Sequence, residues 1–235
     1  MWNGKMKALT FSYDDGTAAD IRLVKILNEH GMKGTFNLSS GTHKSGVPDP
    51  AARSRTDRLT LEELPALYKG HEIASHALTH ARMDQVSREE CVRQAAVDRD
   101  NLEKIFGKRP TGFCYPCGGM NDAVVEVLDE LGFYYARTNL STFDFELPTD
   151  YLRFRFTCRH REEPLMALAE KFRALECDRP QFFCVMGHSY EFENEGNWDV
   201  IERFCDFMAG RDDIYYGTTE DILREYRESA GTNKI

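Results

Sequence analysis

Residues 7–17 have the sequence KALTFSYDDGT, in which an apolar run ends at two adjacent aspartates. Residues 7–13 are a short stretch with apolar and aromatic side chains among a few small polar ones, which predicts a buried strand. Residues 18–30 place apolar side chains at helical spacing, and Gly31 is a natural stop, so this stretch predicts a helix. Residues 35–38 are strand-like again. The chain therefore begins with a strand, a helix and a second strand.

The same alternation continues along the rest of the sequence, without a repeat, a linker or a low-complexity tract that would divide it. Further strands are predicted at 72–75, 112–115, 134–138, 181–186 and 214–217, and further helices at 59–68, 87–106, 122–131, 163–175, 198–209 and 220–228. A polar loop is predicted at 39–57. We therefore expect one α/β domain over residues 1–235, a parallel barrel with ligand sites at the carboxyl ends of its strands.

Composition limits the classes of partner. The 235 residues carry a formal net charge of -9, with acidic and basic residues interspersed. This distribution argues against a nucleic-acid surface and against a polybasic membrane patch. The first residues are too polar and too few for a secretory signal, so the sequence predicts a cytoplasmic protein.

The cysteines do not form the dense framework of a small secreted scaffold. There are seven cysteines, an odd count, and they are scattered along the chain, which favours reduced thiols. Cys114 and Cys117 form a C-x-x-C string beside a turn-forming proline, Pro116. We interpret them as structural thiols, with a redox or zinc pair as the alternative.

Two adjacent carboxylates directly follow the first strand. Asp14 and Asp15 could divide their work, because one can ligate a cation while its neighbour accepts a proton. The same string, Asp-Asp-Gly-Thr, is also a good turn, with Thr17 as a helix cap. The two interpretations are compatible.

Two histidines four residues apart follow the strand at 72–75. On one helical turn His76 and His80 would face the same way and could reach one cation. A surface turn with two solvated histidines is the alternative. One carboxylate and two imidazoles are a familiar catalytic metal set that leaves a position open for water.

A further histidine, His188, follows the strand at 181–186 and could protonate a leaving group there. A structural role at the strand end is the alternative. We interpret His30, His43 and His71 as surface residues, whereas the role of His160 is left open.

Taken in order, these motifs resemble those of the polysaccharide deacetylases, which include the nodulation chitooligosaccharide deacetylases. The matching strings are FSYDDGT at 11–17, EIASHALTH at 72–80, CYPCG at 114–118 and FFCVMGH at 182–188. The resemblance runs from about Lys7 to about Tyr226, and four motifs in order are more specific than any one. It implies an irregular (β/α)7 barrel, in agreement with the alternation.

The resemblance also implies a role for each motif residue. Asp14 would be the general base and His188 the general acid, while Asp15, His76 and His80 would hold one divalent metal ion. Zinc is the first expectation, with cobalt, iron, manganese or nickel as alternatives.

The substrate residues implied by the resemblance surround the third and last motifs. The backbone N–H of Cys117 would help to bind the oxyanion, with Tyr115 and Pro116 beside it. Met186 would line a small apolar pocket for the acetyl methyl group.

Two positions depart from the family pattern. Cys114 stands where the family has an arginine that orients the base, and Ala77 stands where it has serine or threonine. Arg137, in the next strand, is our candidate for supplying the missing charge. The carboxylate partner of His188 is expected among Asp144, Glu162 and Glu163.

The expected activity is removal of acetyl groups from N-acetylated or O-acetylated sugars. An allantoinase-like hydrolase of a small cyclic amide or ureide is the first alternative, because it would use the same metal site on a cytosolic metabolite. A carbohydrate-binding relative that has lost catalysis is the second. The partner is therefore a carbohydrate or a small amide, and the fold alone does not choose between them.

Overall fold

The computed structural model describes residues 1–46 and 53–232 of the chain. The strands are β1 (Lys7–Asp14), β2 (Gly34–Leu38), β3 (Glu72–Ser75), β4 (Gly112–Cys114), β5 (Tyr135–Ser141), β6 (Phe154–Phe156), β7 (Cys158–Arg159), β8 (Gln181–Gly187) and β9 (Ile214–Tyr216). The helices are α1 (Asp20–Glu29), α2 (Leu64–Leu67), α3 (Arg88–Phe106), α4 (Asp122–Glu130), α5 (Leu165–Ala174), α6 (Ser189–Glu195), α7 (Asp199–Met208) and α8 (Thr219–Thr232).

The sheet closes on itself because its two edge strands, β6 and β7, are consecutive in the chain. The strands lie in the order β6-β5-β4-β3-β2-β1-β8-β7, and neighbouring strands pair in parallel. Thr157 alone separates β6, at one end of the order, from β7, at the other. The strand β9 pairs with the first residues of β1. The predicted fold class, a parallel α/β barrel, is confirmed.

The core lies against β1, whose eight residues are all buried. Aromatic side chains from neighbouring elements meet there edge to face, with ring centroids 5.9 Å apart for Phe11 and Phe204 and 5.6 Å apart for Phe183 and Phe204. Edge-to-face pairs of this kind stabilise a core beyond the area they bury. Among the described residues, no helix is long and apolar enough to cross a bilayer.

One predicted element differs from the structure, and three observed elements were not predicted. The predicted helix at 59–68 is reduced to α2, although the Thr60 N–H donates to the Glu63 carboxylate at 2.8 Å in the turn before it. The strands β6 and β7 and the helix α6 were not predicted. Part of the predicted loop at 39–57, residues 47–52, lies outside the described residues.

Candidate active site

Side chains from several strand ends meet at the carboxyl end of the barrel, where they line a pocket of about 230 Å³. All five residues expected to hold a metal or move protons line it: Asp14, Asp15, His76, His80 and His188. The predicted substrate residues Tyr115, Cys117, Arg137 and Met186 line it as well. Pro116 is buried in the turn after β4 and is not part of the pocket wall.

Asp15, His76 and His80 form a compact group of metal donors. Each offers a ligand atom, and these atoms all lie within 4.8 Å of one another. His80 Nε2 is 3.7 Å from Asp15 Oδ1. Two ligands that are each about 2.1 Å from one zinc ion lie roughly 3.4 Å apart in tetrahedral geometry. The residues therefore fit one divalent cation after small side-chain movements.

The orientation of His76 leaves one ring nitrogen for a cation. Its Nδ1–H donates to the Cys114 carbonyl at 2.9 Å, so Nε2 carries the free lone pair. Burial lowers the pKa of His76 to about 4, against the attraction of Asp14 and Asp15, so the ring is neutral at neutral pH. A backbone carbonyl that fixes the second nitrogen in this way is typical of metal-ligating histidines.

The segment that carries both histidines is a braced loop and not a helical turn, so that part of the prediction was wrong. Ala77 and His80 both have φ of 58°, in the left-handed region. The loop is held by α3, where Gln94 accepts from the Thr79 N–H at 2.9 Å. The buried Asp98 carboxylate accepts from the His76 N–H at 3.2 Å. These contacts, and not helical spacing, bring the two imidazoles together.

Asp14 is a buried carboxylate with one oxygen engaged and one available. Its Oδ1 accepts from Asn37 Nδ2 at 2.8 Å and from Arg137, while His188 Nε2 is 3.8 Å from Oδ2. Burial raises the pKa of Asp14, but the charges of Arg137, His76 and His188 outweigh it and hold the pKa well below its ordinary value. The carboxylate is therefore ionised at neutral pH and can accept a proton at Oδ2.

The arginine beside Asp14 lies on β5, whereas the family pattern places an arginine at position 114, on β4. Arg137, in β5, reaches past Cys114 with its guanidinium 2.9 Å from the sulfur and ends on the Asp14 carboxylate. Only 1% of Arg137 is exposed. Arg137 thus supplies beside Asp14 the positive charge that the sequence lacks at position 114.

A second group of donors, Asp14, His76 and Cys114, also lies within 4.8 Å. The Arg137 guanidinium already occupies two of its members, and burial raises the pKa of the Cys114 thiol well above its ordinary value, so it is protonated. A thiolate is the form that ligates metals. This group is therefore the poorer cation site. Cys114 is buried, Cys117 is exposed, and all seven cysteines are free.

The carboxylate beside His188 is Glu191, which the sequence analysis did not identify. His188 Nδ1 is 3.5 Å from Glu191 Oε2, and the His188 backbone N–H donates to the same oxygen at 3.2 Å. Burial lowers the pKa of His188, but Glu191 and Asp14 outweigh it and raise the pKa above its ordinary value. The imidazolium that a general acid requires is thereby stabilised.

The prediction that Asp144, Glu162 or Glu163 pairs with His188 was wrong. Asp144 and Glu163 are exposed. Glu162 accepts hydrogen bonds from the Ser141 hydroxyl and from a backbone N–H, at 3.0 Å and 2.7 Å. The available signal was the spacing of Glu191, three residues after His188, which is the capping-box spacing at the start of a helix.

His160, whose role the sequence left open, lies on the far side of Glu191. Its Nε2 is 3.4 Å from Glu191 Oε2, and its Nδ1 shares a hydrogen bond of 3.1 Å with the Tyr13 hydroxyl. Burial lowers the pKa of His160 to about 4. A neutral, packed ring here fixes the Glu191 carboxylate without competing for its charge.

We expect Glu191→Gln to move the alkaline limb of the kcat/KM profile to lower pH. If His188 is the general acid that the sequence analysis expects, it must be protonated, and activity is then lost as pH rises through its pKa. Removing the Glu191 charge takes away the largest effect that opposes burial, so the pKa of His188 should fall, and activity at alkaline pH should fall about tenfold or more. The pH dependence of kcat/KM measures this shift.

Glu195→Gln is the matched control, because Glu195 is exposed on the same helix and shares only Arg161 with Glu191. Its profile should match the wild type. An unchanged alkaline limb in Glu191→Gln would contradict the pairing with His188.

Arg58 is a second residue that the sequence analysis missed. Its guanidinium is 2.8 Å from Asp15 Oδ1 and also donates to the Asp15 backbone carbonyl. Asp15 has φ of 89°, and the two contacts hold this left-handed residue with its carboxylate toward the pocket. Arg58 follows a polar stretch with no periodicity, so the sequence gave no signal for it.

The turn after β4 presents backbone to the pocket. Cys117, within Pro116–Gly118, has φ of 52°. Gly118 has φ of 71°, and a Cβ there would come within 2.8 Å of the Asn139 side chain. Glycine is therefore required for the close approach of this turn to β5.

The fold and the pocket define a class of protein: a parallel α/β barrel that gathers carboxylates and imidazoles at the carboxyl ends of its strands. The family model for polysaccharide deacetylases matches residues 3–136, more than half of the chain. The chain belongs to the polysaccharide deacetylase family.

Curated relatives and a solved structure are similar to parts or most of the chain. A chitin deacetylase of Pestalotiopsis sp is 29% identical over 151 residues, 64% of this chain and 47% of that protein. The peptidoglycan-N-acetylmuramic acid deacetylase PdaC of Bacillus subtilis is 28% identical over 120 residues, 51% of this chain and 23% of that protein. The chain thus spans about half or less of the length of these relatives.

The solved structure is a family 4 acetyl xylan esterase from Clostridium thermocellum in complex with a cobalt ion. It has a TM-score of 0.61 at 15% identity, over 93% of this chain and 91% of that one. At this identity the likeness concerns the fold alone.

Proposed function

We propose that this protein is a metal-dependent hydrolase that removes acetyl groups from N-acetylated amino sugars. One observation carries the proposal: Asp15, His76 and His80 offer donors within 4.8 Å of one another, beside an ionised Asp14 and a His188 paired with Glu191. A decayed site has no reason to keep a metal group and both proton-transfer groups in one pocket.

Asp15, His76 and His80 would hold the ion. When bound, it lowers the pKa of a water ligand and polarises the acyl carbonyl. Zinc suits one carboxylate and two imidazoles, and cobalt, iron, manganese and nickel remain alternatives. Arg58, 2.8 Å from Asp15 Oδ1, holds that carboxylate in place.

The remaining chemistry belongs to Asp14 and His188. Asp14 Oδ2 accepts the proton of the attacking water, while Arg137 and Asn37 on Oδ1 fix the carboxylate. The backbone N–H of Cys117 donates to the oxygen of the tetrahedral intermediate. His188 then donates its proton to the departing nitrogen, so the products are acetate and a free amine. Met186 lines the pocket wall at which the acetyl methyl group would lie.

The substrate class rests on the relatives, whose names specify chitin and N-acetylmuramic acid. Both are polymers or units of N-acetylated amino sugars. An amide of this kind needs a nucleophile, an oxyanion donor and an acid for the amine, which are the groups gathered in the pocket.

His76→Ala tests the metal site directly. We expect the wild-type protein to bind about one divalent ion per chain, and to release acetate from N-acetylglucosamine oligomers. The variant should lose both, because it removes the most buried ligand. Elemental analysis and an acetate assay on the same samples measure the two quantities.

His30→Ala is the matched control, because His30 pairs with Asp206 at the protein surface. It should keep both the metal and the activity. No metal in the wild-type protein, even after reconstitution, would refute the ligand assignment. Metal without acetate release from any N-acetyl sugar would refute the deacetylase proposal.

A further inference from the structure

One arginine in the pocket has no part in the chemistry described so far. Arg159, at the end of β7, lines the pocket and pairs in register with Met186 of β8. Neighbouring strands lie about 4.8 Å apart, so its backbone runs directly beside the residue assigned to the acetyl group. The side chain is half-buried.

The protein holds the guanidinium of Arg159 in place without neutralising it. Nη2 contacts the side-chain oxygen of Asn139 and lies 3.4 Å from its backbone carbonyl. The group also lies 5.7 Å from the ring centroid of Phe156. Both hydrogen bonds use Nη2, so among the residues that the structure describes Nε and Nη1 have no acceptor.

The other arginines around the pocket each pair with a carboxylate: Arg137 with Asp14, Arg58 with Asp15 and Arg161 with Glu191. Within residues 1–46 and 53–232, no carboxylate forms an ion pair with the Arg159 side chain. Glu162, three residues away, instead accepts from the Arg159 backbone N–H at 2.7 Å and from Ser141.

An excess of basic residues does not explain this unpaired charge. The chain has 39 acidic and 30 basic residues, so acidic partners are plentiful. A guanidinium with free donors in a fixed orientation matches a carboxylate, which accepts two parallel hydrogen bonds. Because the other pocket arginines are already neutralised, a single negative charge fits better than a doubly charged phosphate.

We infer that Arg159 binds a carboxylate carried by the substrate close to the scissile acyl group. The inference rests on the proposed deacetylase function and narrows its substrate to acidic N-acyl sugars. Arg159 is then a specificity-determining residue: it contacts the substrate but moves no proton.

The test compares each acid with its neutral methyl ester. N-acetylmuramic acid carries the carboxylate on the sugar, and N-malonylglucosamine carries it on the acyl group. Release of free amine gives kcat/KM for all four compounds. We expect the wild-type protein to prefer the acid over its ester by about tenfold or more in one of the two arms, which identifies the side that bears the charge.

Arg159→Met should bring that ratio close to one, and Arg159→Lys should restore part of it. A purely structural clamp on Asn139 would lower the rates for acid and ester by the same factor and leave the ratio unchanged. Arg155→Met is the matched control, because Arg155 is exposed on β6 and its one side-chain hydrogen bond within the described part of the chain is to the Ser141 carbonyl. It should keep the wild-type ratio.

A wild-type ratio near one in both arms, with acetate released from N-acetylglucosamine oligomers, overturns this inference and leaves the deacetylase proposal standing. If no sugar is hydrolysed, the deacetylase proposal fails. Calorimetric titration of the wild-type protein and Arg159→Met with N-acetylmuramic acid and its ester then tests the charge recognition alone. Tighter binding of the acid that is lost in Arg159→Met supports it, and equal binding overturns it.

Discussion

Asp14→Asn should lower kcat by about a hundredfold or more while the bound metal is retained. The substitution keeps the shape of the side chain, and the amide oxygen can still accept from Asn37 Nδ2, which is 2.8 Å away in the wild-type protein. It removes the carboxylate lone pair that, in the proposed mechanism, accepts the proton of the attacking water. Loss of a general base typically costs at least this factor. Single-turnover kinetics and elemental analysis of the same preparation measure both quantities.

The retained metal separates this variant from a ligand loss. Asp15 and the two histidines are untouched, so the ion should stay bound. Because Asp14→Asn leaves the buried Arg137 without its counter-charge, circular dichroism must show that the variant is folded at the assay temperature. Asp100→Asn, on the exposed face of α3, should behave as the wild type. Turnover near the wild-type rate in Asp14→Asn would contradict the role of Asp14 as base.

Arg137→Met should destabilise the protein by about 3–5 kcal/mol, because it leaves the buried Asp14 carboxylate without its cation. The two side chains are 1% and 5% exposed, so solvent screens their interaction little. The pKa of Asp14 should then rise, because the positive charge of Arg137 no longer offsets the effect of burial. A base must be ionised, so the acid limb of kcat/KM should move to higher pH. Urea unfolding and the pH profile measure the two effects.

The exchange of positions 114 and 137 is the stricter test of the same idea. A double variant, Cys114→Arg with Arg137→Cys, moves the guanidinium to the position that the family pattern favours. It should recover part of the stability and shift the acid limb back. Arg137→Lys, which keeps a charge, should retain more of both than Arg137→Met. Equal stability and an identical acid limb in the wild type and Arg137→Met would contradict a role for the pair.

The sequence predicted β1 to β5, β8 and β9 from short stretches rich in apolar and aromatic residues between helical patterns. It failed at β6 and β7, where the string FRFTCR alternates apolar residues with arginines and threonine; this alternation is a strand pattern, but the string is short and was overlooked. These arginines face outward or into the pocket, while Phe154 and Phe156 are buried. The helix α6 was missed because its polar composition suits a loop equally well. Its capping by Glu191 follows a spacing of three residues from His188 that is visible in the sequence but was not used in the prediction.

The site was predictable where a motif places a residue directly at a strand end, as for Asp14 and His188. It was not predictable where a partner arrives from a distant element. Arg58, Arg159 and Glu191 reach the pocket from a polar stretch, a short strand and an unpredicted helix. Even for His76 and His80 the spacing suggested a helical turn, whereas a loop braced by α3 brings them together.

The parallel pairing is uneven around the barrel. The seam between β6 and β7 is continuous chain through Thr157, so those two ends cannot separate. Between β3 and β4 only Ser75 and Phe113 pair in register. Local opening of the backbone should therefore begin between β3 and β4, and amide hydrogens there should exchange with solvent before those of β1. His76 spans these two strands through its hydrogen bond to the Cys114 carbonyl, so the part of the barrel expected to open first also carries a residue of the proposed metal site.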